Sequence, residues 1–132
     1  MTIFVDTSGI LAVMNADDRF HAAGIAIWRH WADDRPRLVT SNYVVLESVA
    51  LLQRRMGMEA VRSFHQDILP LVQMKWVTAE IHHASIVALF AANRRHLSLV
   101  DCSSFEVMRS LNVRQVFAFD PHFAEQGFTC LP

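Results

Sequence analysis

TIFVDTSG, residues 2–9, sets an unbroken apolar run directly against an acid and then against a helix start. An apolar run without alternation fits a strand covered on both faces. Asp6 closes that strand, and Ser8 to Met14 continues as a short helical pattern. A second junction of the same kind lies near the other end of the chain, in QVFAFDPHF at 115–123. There a strand over 115–119 ends on Asp120, and Pro121 is the favoured first residue of a helix.

Working outward, RLVT at 37–40 and LVQMKWV at 71–77 read as further strands, with FTCL at 128–131 a weaker fifth. Helical patterns fill the intervals. Phe20 to Trp31 carries apolar residues at Phe20, Ala23, Ile27 and Trp31, which is helical spacing. Tyr43 to Met56 and Met58 to Leu69 follow, broken at Gly57 and stopped by Pro70. Residues 79–93 and 99–111 complete the set. Strands alternating with helices predict an α/β domain whose mainly parallel sheet has helices on both faces. Such sheets bind ligands beyond the carboxyl ends of their strands, so functional residues are expected there.

The 132 residues suit a single domain over 1–132. Apolar residues make up 52% of the chain, enough for a sizeable core and for a leftover patch that serves a partner. No stretch approaches the roughly 20 apolar residues of a membrane span. The N-terminus lacks the flank and apolar run of a signal peptide, so a cytoplasmic address is expected. Cys102 and Cys130 form no CxxC pair and are too few for a disulfide scaffold. The seven histidines show no HExxH spacing, which argues against zinc. A net charge of −1 gives no global positive field, so any grip on nucleic acid must come from local arginines and bound cations.

Four acids remain to be explained. Asp6 and Asp120 follow strands, where each is also a good helix cap. Ser98 to Asp101 fits the Ser-x-x-Asp form of the capping box, so Asp101 begins a helix. Capping and metal binding are compatible, because a helix N-terminus fixes a carboxylate that an ion then uses. Glu47 is different. Its neighbours at helical spacing are Tyr43, Val44, Ala50 and Leu51, a face otherwise suited to the core. No Arg or Lys pairs with it along the helix, and an unpaired buried carboxylate costs several kcal/mol or stays protonated. Either that helix edge is wet or a positive charge faces it. Two carboxylates about 4 Å apart repel by roughly 4 kcal/mol at an effective dielectric near 20. Converging acids therefore call for a divalent ion, and oxygen ligands select Mg²⁺ or Mn²⁺. That chemistry points to phosphoryl transfer or phosphodiester hydrolysis.

The segments TIFVDTSG, NYVVLES, LSLVDCSSFEVM and VFAFDPHF, in this order, resemble the four acidic motifs of PIN-domain nucleases. Among these the chain is most similar to the VapC-type toxins of bacterial toxin–antitoxin pairs. The resemblance runs from Thr2 almost to the C-terminus and is more specific for the superfamily than for the toxin branch. It implies a three-layer α/β/α fold, a Mg²⁺- or Mn²⁺-dependent endoribonuclease, frequent homodimers and a small antitoxin that blocks the site. Asp6, Glu47, Asp101 and Asp120 each match an acidic position of the family, and Ser8 matches a hydroxyl that often accompanies the first acid. The last motif is the one that varies most within the family.

On this reading a metal-activated water attacks an RNA phosphodiester in line. Asp6 and Asp101 hold the principal ion, while Glu47 and Asp120 complete its shell or help hold a second. Arg94 and Arg95, with His96, could grip phosphate, or could simply be a charged helix end. Arg54 and Arg55 read as surface. Trp28 and Trp31, on successive turns, fit core or partner packing better than base stacking.

Other classes meet specific obstacles. A receiver-type phosphotransfer domain needs a lysine near the last strand, and the single lysine is Lys75 in the third. Haloacid-dehalogenase-like phosphatases carry DxD, where this chain has Asp6-Thr7-Ser8. Neither GxGxxG nor GxxxxGKS occurs. Two alternatives stay open: a non-catalytic PIN-like module that binds RNA or a partner, and a nuclease of the same fold directed at DNA.

Overall fold

The strands of the computed structural model, which describes residues 1–132, all run parallel. The chain alternates through β1 (Thr2–Val5), α1 (Thr7–Met14), α2 (His21–Asp34), β2 (Arg37–Ser41), α3 (Asn42–Met56) and α4 (Met58–Ser63). It continues through β3 (Gln73–Lys75), α5 (Ala79–Ala92), α6 (Leu99–Ser110), β4 (Gln115–Phe117), α7 (His122–Glu125) and β5 (Thr129–Leu131). The sheet order is β3-β2-β1-β4-β5. The chain thus starts at the centre, builds outward to β3, and returns to the other side of β1 with β4. The reversal falls between β1 and β4, the kind of crevice where open α/β sheets bind ligands.

Ile3, Phe4 and Val5 are fully or almost fully buried, as the unbroken apolar run requires. Val5 pairs with Phe117, whose ring packs edge-on against Trp31, 5.2 Å between centroids, and also meets Trp28. α1 and α2 therefore cover this face. Trp31 is buried and Trp28 half-buried, so both serve packing. The opposite face carries Val39, which lines a cavity with Leu111 and Val113 from the end of α6. The result is a three-layer α/β/α sandwich.

Gly9 marks a close approach between layers. A Cβ there would lie 2.6 Å from both the ring and the carbonyl oxygen of Phe117, so only glycine lets α1 sit this tightly on β4. Gly57 separates α3 from α4 with φ of +89°, a conformation that favours glycine.

Element boundaries depart from the sequence reading in instructive places. The helix expected over Met58–Leu69 is α-helical only to Ser63, then widens into a π turn over Phe64–Ile68 and tightens into a 3₁₀ turn over Leu69–Leu71. Pro70 cannot supply the N–H that a regular helix needs, and the turn around it tightens instead. β3 and β4 are three residues each, shorter than the apolar runs that contain them. The helix expected to end at Trp31 runs on to Asp34 and closes with Arg35 in the left-handed conformation. Cys102 is buried, Cys130 half-buried, and both are free thiols. No helix is long and apolar enough to cross a membrane. Leu46, Trp76, Val87 and Phe90 keep more than half of their surface exposed.

Candidate metal centre

Asp6 leaves β1 as the N-cap of α1, and one of its oxygens, Oδ2, accepts the backbone N–H of Ser8 at 3.1 Å. The same oxygen accepts the Ser8 hydroxyl at 2.6 Å. Ser8 Oγ in turn accepts the N–H of Phe119 at 3.0 Å, and the N–H of Asp6 reaches the carbonyl of Phe117 at 3.1 Å. Ser8 is thereby the link that ties the end of β1 to the segment leading from β4 to Asp120.

Asp101 stands in the first turn of α6, inside a complete capping box. Its N–H donates to Ser98 Oγ at 3.0 Å while its own Oδ2 accepts the N–H of Ser98 at 3.1 Å. Asp120 lies three residues past the end of β4, and its Oδ1 accepts the N–H of His122 at 2.9 Å. The three aspartates share a pattern. Each gives one oxygen to a local backbone amide and leaves the other without a hydrogen-bonding protein group.

One ligand atom each from Asp101, Asp120 and His122 lie within 4.8 Å of one another. Asp6 stands outside that triplet yet senses both acids. Burial pushes its carboxyl up to about 7 from an ordinary 3.8; the two Ser8 hydrogen bonds oppose the rise, and the charges of Asp101 and Asp120 add to it. Asp101 is raised as well, first by burial, with the Ser98 amide opposing and the Asp120 charge reinforcing. The fold has therefore set Asp6 and Asp101 where burial and a neighbouring carboxylate both disfavour their ionisation. No arginine or lysine makes a salt bridge to any of them. Hard oxygen donors with one free oxygen each and no arginine or lysine to answer them fit a divalent cation such as Mg²⁺ or Mn²⁺.

Glu47 is half-buried on α3 and enters no salt bridge. Its helix docks beside the end of β1, since the Thr7 hydroxyl reaches the carbonyl of Val44 at 3.5 Å and Ser48 Oγ lies 3.4 Å from Thr7 Oγ1. One turn before it, Tyr43 is hydrogen-bonded to His82 of α5. Glu47 thus flanks the Asp6 junction, but it does not join the cluster of ligand atoms.

The arginines divide. Arg94 is held by Glu125 at 2.8 Å, so it is not a free phosphate grip. Arg95 is exposed and unpaired. The residue that sequence reasoning passed over is His122, whose side chain is only 12% exposed beside Asp120. Its Nε2 lies 3.0 Å from the carbonyl of His96. A carbonyl only accepts, so Nε2 carries the proton and the ring's remaining lone pair lies on Nδ1, which faces Glu125. No ligand spacing in the sequence announces it. The DPHF signal was legible only as a helix start.

Comparison with known proteins agrees with this geometry. The PIN domain family model matches residues 3–128. A 23S rRNA-specific endonuclease of Mycobacterium tuberculosis, VapC20, is 37% identical over 127 residues, spanning 96% of this chain and 95% of that one. The crystal structure of VapC20, described as a sarcin–ricin loop cleaving toxin, superposes with a TM-score of 0.83 at 36% identity, covering 96% of both chains. VapBC2 of Rickettsia felis, solved on a DNA fragment from its promoter, shares the fold at a TM-score of 0.71 and 10% identity, covering 98% of this chain and 97% of that one. A family match over nearly the whole chain and a relative alike from end to end leave one assignment: the chain belongs to the PIN domain family.

Proposed function

We propose that this protein is a divalent-metal-dependent endoribonuclease, the toxin of a toxin–antitoxin pair, that hydrolyses RNA phosphodiester bonds with Asp6, Asp101 and Asp120 as metal ligands. The observation that carries the reading is the convergence of three buried or half-buried aspartates, without a salt bridge to any arginine or lysine, at the β1/β4 reversal. The likeness to VapC20 supports RNA as the substrate, and ribosomal RNA as the first to try.

Each side chain has a separate task. Asp6, Asp101 and Asp120 would hold the ion, each with the oxygen its backbone hydrogen bond leaves free. Ser8 fixes the plane of the Asp6 carboxylate and keeps it beside the Asp120 segment. Ser98 fixes the Asp101 carboxylate through the capping box. When bound, a divalent ion lowers the pKa of its water and offsets charge building on the phosphoryl oxygens. Glu47, on the flank, orients water at the edge of the site or helps hold a second ion. Arg95, exposed and without a salt bridge, would be free to meet an RNA phosphate. The exposed Leu46, Val87 and Phe90 are suited to protein partners, a second copy of the chain or a small antitoxin.

The test is incubation of the purified chain with intact ribosomes and with total RNA in Mg²⁺, then in excess chelator. Discrete internal cuts that vanish with chelator are expected. Absence of cleavage in Mg²⁺, with RNA still bound, would favour a non-catalytic RNA-binding module. Equal cleavage of single-stranded DNA would move the substrate to nucleic acid in general.

A further inference from the structure

Asp101 and Asp120 come from separate segments, the first turn of α6 and the connection from β4 to α7. The backbone hydrogen bonds outside regular elements include none between residues 94–101 and 118–125. Two side chains make the polar links instead. His122 Nε2 donates to the carbonyl of His96 at 3.0 Å, and Arg94 donates to Glu125 at 2.8 Å. The two ties lie side by side: His122 Nδ1, buried and without a hydrogen-bond partner, is 3.5 Å from Glu125 Oε2.

We infer that His122 is a positioning residue: by anchoring its ring to His96 it clamps the Asp120 segment against the start of α6 and sets the gap that a divalent ion bridges. The inference rests on the metal reading above. Without a clamp, two carboxylates within 4.8 Å repel and push their segments apart. With it, the gap is held before the ion arrives, and the cost of ordering the acids is already met by the fold. The ring is well placed for this role. It adjoins Asp120 on one side, with Nε2 3.9 Å from Oδ1, while its backbone N–H holds the same oxygen. A single residue thus grips Asp120 with its main chain and the α5–α6 connection with its side chain.

The test exploits the geometry of the donor. His122→Gln places an amide N–H near the position of Nε2 and keeps the tie to His96, whereas His122→Asn is too short to reach it. Mn²⁺ affinity is measured by calorimetry on the full chain, with circular dichroism and thermal unfolding on each variant. The wild type and His122→Gln should bind within about threefold of each other, and His122→Asn about tenfold or more weakly, in the range of outer-shell losses. At saturating Mn²⁺ His122→Asn should recover RNA cleavage, which a generally damaged fold would not. Should the Asn variant fail to fold, His122→Met removes the same donor with a longer side chain. Equal affinity in all variants, or equal weakening by Gln and Asn, would overturn the clamp while leaving the metal site intact. A wild type that binds no Mn²⁺ would overturn both.

Discussion

Asp6, the first of the proposed ligands, shows at the scale of one residue what burial does to a carboxylate. Burial raises its pKa to about 7, and the folded chain therefore holds a proton that the unfolded chain releases near 3.8. The stabilising preference is fully present below the unfolded value and is lost as pH rises through about 7. Metal-free wild type should accordingly lose thermal stability relative to Asp6→Asn between pH 5 and pH 8. A constant or inverted gap between the two unfolding curves would contradict the assigned burial. Mn²⁺ binding displaces the same proton, so affinity should fall as pH drops from 8 to 6. Asp101→Asn should fold, yet cleave RNA more slowly by a factor exceeding the roughly 10- to 100-fold cost of losing an outer-shell partner. Initial rates of RNA cleavage at fixed Mg²⁺ measure this.

At the scale of elements, the decisive unit is strand, acid, helix. Gly9 lets α1 lie against Phe117 so that Asp6 and the Asp120 segment share one crevice. Gly9→Ala should cost at least about 1–3 kcal/mol in urea unfolding, because the Cβ meets a backbone carbonyl as well as a ring. It should also weaken Mn²⁺ binding; an unaffected variant would mean that the junction is looser than it stands. This unit was legible in the sequence because TIFVD and QVFAFD each set an apolar run against an acid. The capping box at Ser98 was legible for the same reason, since the spacing of cap and acid is local. His122 was not legible, since its partner His96 lies 26 residues away and any exposed loop histidine reads alike. For Arg94 the sequence left two readings open, a phosphate grip or a charged helix end, and its partner Glu125 lies too far along the chain to have decided between them. The π turn after Ser63 was hidden too, because hydrophobic spacing does not separate a slightly widened turn from a regular one.

Across the whole molecule, the sheet order brings chain segments more than a hundred residues apart to one crevice, and the surface supplies little net charge to reinforce it. Attraction for RNA must then come from the ion and from isolated cations such as Arg95. The site should also report on global stability. Mn²⁺ at 100 times its dissociation constant should add about 2.7 kcal/mol, a rise of roughly 10 °C in the unfolding midpoint, and the rise should shrink in Asp120→Asn. An equal rise in wild type and Asp6→Asn would place the ion elsewhere.

The most direct measurement is anomalous scattering from crystals grown with Mn²⁺. A peak about 2 Å from carboxylate oxygens of Asp6, Asp101 and Asp120 is the expected result. A Mn²⁺ peak only at other residues, or none between these three at millimolar Mn²⁺, would contradict the shared-ion site.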